Sequence, residues 1–271
     1  MSATNSVCVL NVSKTYATGG NRVVALKDVS LDIGEHEFVC IVGPSGCGKT
    51  TLLNLLAGFE KPSSGSLQAF GNSIGGPGPD RTMMFQDYAL FPWLTVKGNI
   101  EYGLNRLGIS ARERAEILRH YVLLIDLKGF EDKFPKQLSG GMRQRVALAR
   151  ALAVNPKMLL MDEPFAALDS FTREKMQDEL IRVWETERKA VLFITHNIDE
   201  AIKLADVVVV MHSRPGRIAG TFRIESKRPR DVDSEENVKI VHHVRELLHV
   251  VSTTARAAPG GAAAVNASSR K

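Results

Sequence analysis

The run Gly43-Pro44-Ser45-Gly46-Cys47-Gly48-Lys49-Thr50 fits the pattern Gly-x4-Gly-Lys-Ser/Thr, and these residue types suit a phosphate chain. Glycines at 43, 46 and 48 let backbone N–H groups approach phosphate oxygens with no Cβ in the way. A helix from Lys49 through Leu56 would aim the positive end of its dipole at the same oxygens. Lys49 is then placed to bridge the β- and γ-phosphates of a nucleotide and the Thr50 hydroxyl to ligate Mg²⁺, with Thr51 extending the cradle. Ser45 does not read as a hydrolase nucleophile, because Gly-x-Ser-x-Gly needs glycine where Cys47 stands.

A second element of the same chemistry is Met158-Leu-Leu-Met-Asp162, an apolar strand-like run ending in an acid and followed at once by Glu163. Adjacent side chains at a strand end point to different sides. Asp162 can therefore serve the Mg²⁺ shell while Glu163 faces the γ-phosphate and polarises a water. The competing role for such a pair is helix capping and a first-turn acid, which Pro164 would also suit. With the Gly43 loop in the same chain, the catalytic role is the one expected.

Leu138-Ser139-Gly140-Gly141-Met142, continued by Arg-Gln-Arg-Val-Ala-Leu-Ala-Arg-Ala-Leu152, repeats the anion logic at another helix start. With this string the chain resembles the ATP-binding-cassette (ABC) family, whose signature is usually Leu-Ser-Gly-Gly-Gln. Here the fifth residue is Met142, and a glutamine follows only at Gln144. The resemblance covers residues 7–220. It implies that Ser139, Gly140 and Gly141 meet the γ-phosphate of ATP held by a second copy of the chain. It further implies that Gln86 senses Mg²⁺ and the membrane partner, so that Thr50, Gln86 and Asp162 form the metal set. Asp169 would touch the partner copy's site, with an N-cap as the competing role. His196 would contact the γ-phosphate, and Tyr16 would stack on adenine unless it is an ordinary half-buried strand tyrosine.

The aromatic stretch Phe85 to Val96 reads either as a docking groove for a permease helix or as core of a helical insert. Together with Gly-Pro-Gly-Pro-Asp-Arg81 and His-Ser-Arg-Pro-Gly-Arg-Ile218, it is similar to the nitrate, sulfonate and taurine importer branch. The expected function follows: an ATPase subunit of an importer for a small anion or organic sulfur or nitrogen solute. It would act as a head-to-tail dimer with transmembrane permease subunits and, indirectly, a periplasmic or extracellular solute-binding protein. The expected place is peripheral, on the cytoplasmic face of the inner membrane. An exporter subunit remains an alternative. A soluble ABC-type ATPase of DNA or ribosome function is disfavoured, because the interval from Thr50 to Leu138 is short and broken by Gly and Pro, leaving no room for a long coiled-coil arm.

These residues need a scaffold, and the chain of 271 residues, 44% hydrophobic and 24% charged, is long enough to bury one. Apolar runs alternating with helix-period segments predict an α/β P-loop core with an N-terminal antiparallel β portion and an inserted helical subdomain. The expected boundaries are an ATPase domain over 7–225 with the helical insert at about 91–150, a C-terminal helical extension over 226–250, and a disordered tail over 251–271. Within the insert, residues 111–127 read as a helix with Ala115, Leu118, Val122 and Ile125 on its apolar face. The richest apolar runs, Val191–Thr195 and Val207–Met211, are strand-length, so no membrane span is expected. Cys8, Cys40 and Cys47 are odd in number without a Cys-x-x-Cys spacing, which suits a reducing cytoplasm. The net charge of +5 comes from residues 211–271, where 11 basic side chains face 6 acidic ones, while residues 1–210 balance at 24 each. A solvated basic end segment is expected rather than nucleic-acid binding. His242, His243 and His249 lack the spacing of a zinc site.

Overall fold

The computed structural model describes residues 7–18 and 21–257. Two sheets carry the molecule. The first is antiparallel, with β1 (Val7–Thr18), β2 (Asn21–Ile33), β4 (Ser64–Ala69) and β5 (Asn72–Ser73) in the order β2-β1-β4-β5. The second contains β3 (Phe38–Val42), β6 (Arg81–Met84), β7 (Met158–Asp162), β8 (Ala190–Thr195), β9 (Val207–His212) and β10 (Arg217–Arg223), in the order β10-β9-β3-β8-β7-β6. Its pairings are parallel except for β10 against β9.

The apolar runs of β3, β7, β8 and β9 are explained by burial on both faces, the usual state of a parallel sheet. Alternate residues feed two cores. Val39, Ile41, Leu160, Leu192 and Val209 meet α1 (Lys49–Ala57) and the antiparallel sheet, whereas Phe38, Cys40, Met161, Phe193 and Val208 meet the helices on the other side. Helix α1 is sandwiched, with Leu52, Leu53, Leu55 and Leu56 all fully buried. This locks the helix that begins at Lys49 between two layers.

Between β6 and β7 the chain makes α2 (Val96–Leu104), α3 (Ala111–Leu124) and α4 (Gly140–Ala153). After β7 come α5 (Ser170–Glu187), α6 (Ile198–Leu204) and, beyond β10, α7 (Glu235–Ala257). Two sequence expectations need correction. Helix α3 ends at Leu124 rather than 127, and Ala115 is exposed; the buried face is Tyr121 and Val122, with Ile125 buried at the C-cap. The capping box of Ser110 and Glu113 sets the helix start, but packing on α4 selects the face. The second correction concerns the tail from Val251: α7 runs on to Ala257, and Val251 is buried. Residues 258–271 lie outside the described residues. Among the described residues, no helix is long and apolar enough to cross a membrane.

Candidate active site

The loop after β3 turns over Pro44, whose carbonyl accepts from the Cys47 N–H at 3.3 Å. Gly48 is the N-cap of α1 with φ 95°, and a Cβ there would fall 2.6 Å from Leu26 and 3.0 Å from the Ala25 carbonyl, so only glycine fits. Gly46, also left-handed at φ 75°, faces open space. No side chain caps α1, which leaves its leading N–H groups directed at the opening. Lys49 is buried, and its Nζ donates to the carbonyls of Gly43 at 2.8 Å and Pro44 at 3.2 Å. Cys47 is buried below the loop, and desolvation pushes its thiol pKa up, so it is a packing residue rather than a nucleophile.

Across the opening, β7 ends at Asp162, where burial raises the carboxyl pKa while a hydrogen bond from Thr50 and the charge of Lys49 oppose the rise. Glu163 follows at φ 45°, a left-handed conformation for a non-glycine residue, and its N–H donates to Ile194 O at 3.1 Å on β8. This turn aims the Glu163 carboxylate at His196, whose Nδ1 lies 3.1 Å from Glu163 Oε2. Beneath His196, Glu200 is buried, accepts from Gln177 Nε2 at 2.9 Å and contacts the Thr195 hydroxyl, which in turn accepts from Asn197 N at 3.0 Å. The residues flanking His196 are thus fixed from below. Ser45, Gly46, Gly48, Lys49, Thr50, Thr51 and Glu163 share one cleft of about 410 Å³ with Val23, Val24, Ala25 and Arg214.

The Thr50 hydroxyl beside the Asp162 carboxylate is a hard-oxygen pair of the kind that holds Mg²⁺ together with phosphate oxygens. Among the described residues no cluster of three or more His, Cys, Asp or Glu side chains could hold a metal alone, so this pair needs further ligands from nucleotide, water or the Gln86 amide. The residues present fit that arrangement.

Ser139 to Gly141 stand elsewhere. Ser139 is the N-cap of α4, its Oγ accepting from Met142 N at 3.3 Å, and nearby side chains are Leu168, Thr172 and Met176 rather than those of the cleft. Asp169 caps α5 by accepting from Thr172 N at 3.0 Å, which holds its carboxyl below its ordinary pKa. Tyr16 is half-buried on β1; its hydroxyl donates to Glu60 at 2.6 Å and interacts with Thr51, and the Lys14 ammonium lies 5.0 Å from its ring centroid. Gln86 is exposed just beyond β6. The aromatic stretch divides between its two readings: Tyr88 and Val96 are buried, while Phe85 and Trp93 are exposed and Phe91 stacks between Trp93 and Tyr102.

A family model described as ABC transporter matches residues 26–166. The nitrate import ATP-binding protein NrtD of Synechocystis is 45% identical over 229 residues, covering 84% of this chain and 85% of that protein. The chain belongs to the ABC transporter family. The bicarbonate transport ATP-binding protein CmpC of Synechococcus elongatus is 44% identical over 241 residues, which span 88% of this chain and 36% of that longer protein. A solved dimeric ATP-binding cassette in a post-hydrolysis state with ADP and Pi superimposes with a TM-score of 0.71 at 35% identity, covering 82% of this chain and 100% of that one. The α/β core with its antiparallel portion is thereby that of an ABC ATPase, and the chain is an ATP-hydrolysing enzyme.

The structure shows that Gln144 does not compensate for the departure at Met142. Gln144 is buried among Met84, Leu148, Met161 and Phe165, so it cannot replace a glutamine at the fifth signature position, which Met142 occupies on the half-exposed first turn of α4. Sequence reading did not find Val23, Val24 or Arg214 in the cleft of this ABC ATPase. It also missed Glu200, although its place four residues after His196, on the following helix, was a signal.

Proposed function

We propose that this ABC ATPase energises import of a small anion or a small organic sulfur or nitrogen solute, such as nitrate, sulfonate or taurine. Its partners would be permease subunits and a solute-binding protein, and its place the cytoplasmic face of the membrane. Support for the solute class comes from the nitrate and bicarbonate transport named for two relatives. The observation that carries the mechanism is that the cleft holds Lys49, Thr50 and Glu163 but not Ser139 to Gly141. Each chain therefore offers one cleft and one free glycine-rich helix start, and a head-to-tail pair joins them in two composite sites.

In such a site Lys49 exchanges its Gly43 and Pro44 carbonyl partners for the β- and γ-phosphates. Thr50 and Asp162 would hold Mg²⁺, with Gln86 as a further ligand, and the ion would neutralise charge developing on the phosphate oxygens. Glu163 accepts a proton from the attacking water. His196 Nδ1 holds the Glu163 carboxylate in line. Tyr16 flanks the adenine end, and Asp169 lies at the seam with the partner copy.

The exposed ring of Trp93, seven residues after Gln86 in the sequence, is the surface offered to a permease helix. Trp93→Glu should leave the isolated subunit folded and hydrolysing ATP while abolishing co-purification with the permease and solute uptake in cells. Uptake that persists at normal subunit abundance would place docking elsewhere.

A further inference from the structure

The turn joining β9 to β10 is anchored to both walls of the cleft. Gly216 N donates to Ala25 O at 2.9 Å, and Gly216 O accepts from Lys27 N at 2.9 Å, which pins the turn to β2. The same glycine lies so close to the phosphate loop that a Cβ on it would fall 2.2 Å from Cys47 O. Two residues earlier, Arg214 adopts φ 60°, left-handed for a residue with a side chain, while its neighbour Ser213 is buried. The Arg214 side chain is exposed and lines the cleft with Ser45, Gly46, Gly48 and Lys49. Among the described residues its guanidinium has no carboxylate or hydrogen-bond partner, unlike Arg223 and Arg228, which pair with Glu37 and Asp206.

A free guanidinium on a rigid turn, at the rim of a pocket built for phosphate, is suited to an anionic ligand. Glu163, which lines the cleft with Arg214, is engaged by His196. We propose that Arg214 is a nucleotide-binding residue that contacts the phosphate chain, adding a second cation to that of Lys49. This rests on the reading of Gly43 to Thr51 as the phosphate cradle. The left-handed backbone and the anchoring of Gly216 keep the guanidinium over the cleft instead of letting it fold onto the surface.

Nucleotide titration by calorimetry with Mg²⁺ tests this. Arg214→Ala should weaken ATP and GTP by the same factor, about tenfold for a lost charge-assisted contact. Arg214→Lys should recover part of the loss, and Arg217→Ala, on β10 beyond the cleft, should change nothing. A change in the ATP to GTP ratio would show contact with the base and overturn the phosphate assignment. Unchanged affinity for both nucleotides, with ATP-dependent dimerisation of Glu163→Gln protein lost on adding Arg214→Ala, would make Arg214 a contact to the second copy and also overturn it. If Arg214→Ala has no effect while Lys49→Ala loses ATP binding, the inference fails alone. If neither variant loses affinity, the reading of the cradle itself fails.

Discussion

Helices α1 and α4 both begin with glycine-rich turns, and their surroundings differ in nearly every respect that matters to an anion. The start of α1 has no capping side chain, a buried lysine, a left-handed glycine pressed against β2, and two acids facing it. The start of α4 is capped by Ser139, has an arginine and no acid in its first turn, and lies against Leu168 and the Thr172 and Met176 side chains of α5. The first is a preorganised cradle with its own cation and, on the proposed mechanism, the metal ligands and the base. The second supplies only N–H groups and dipole, and in its own chain has nothing to act on. On the proposed function a chain carrying both is half of two sites, and ATP would act as the adhesive between copies through its γ-phosphate.

The largest effect that follows from this contrast is chemical. Glu163→Gln removes the base from the α1 side and leaves everything the α4 side contributes. Turnover should fall about 10²–10⁴-fold, the usual worth of a positioned base. Nucleotide should still bind, and the variant should accumulate as an ATP-loaded dimer, read by steady-state ATPase assay and light scattering. A variant that turns over normally takes Glu163 out of the base role, and one that stays monomeric with ATP breaks the idea that the two helix starts share a phosphate.

A steric comparison comes next in size. Alanine at Gly48 would need a left-handed backbone, at about 1–2 kcal/mol, and would push into Leu26 and the Ala25 carbonyl, at about 1–3 kcal/mol more. Its melting temperature should drop by on the order of 10 °C, with ATP binding lost. Alanine at Gly140 meets only Leu168, at an ordinary 3.7 Å, and the backbone there is not left-handed. Gly140→Ala should melt within about 2 °C of the parent and bind ATP as a monomer, its defect confined to hydrolysis. Equal thermal losses from the two substitutions would erase the distinction between a cradle built in one chain and one completed between chains.

How far these two sites could be read before any coordinates depends on how local each feature is. The phosphate loop is local: eight consecutive residues carry the backbone freedom, the cation and the hydroxyl, so the pattern and the geometry coincide. The strands that position it were legible too, because β3, β7, β8 and β9 are buried on both faces and read as unbroken apolar runs. Arg214 and Val24 were not legible as cleft residues, since the pairing of Leu26 with Gly216 that brings them together spans most of the chain. Ala115 and Val251 failed for a related reason. A helix's apolar face is chosen by the element it packs on, and the small residues after Val251 concealed the continuation of α7.

The smallest effect is also the sharpest division between what Ser139 does for its own helix and what it does for a second copy. Its Oγ accepts from Met142 N, so Ser139→Ala should destabilise the fold by about 1 kcal/mol, a fall of about 2–4 °C in melting temperature. Aspartate caps as well as serine does, so Ser139→Asp should restore that stability to within a few tenths of a kcal/mol. It also places a carboxylate where the partner's γ-phosphate must arrive, and like charges in a closed, poorly hydrated interface repel strongly. Ser139→Asp should therefore melt like the parent, bind ATP as a monomer, and neither dimerise nor hydrolyse. Mixed with Lys49→Ala protein it should regain activity at one composite site, because the intact cradle on the Ser139→Asp chain then meets the unmodified Ser139 of the other copy. A mixture that stays inactive would show that turnover needs both composite sites. Normal activity of Ser139→Asp by itself would show that the start of α4 meets no phosphate and is a capped turn like any other.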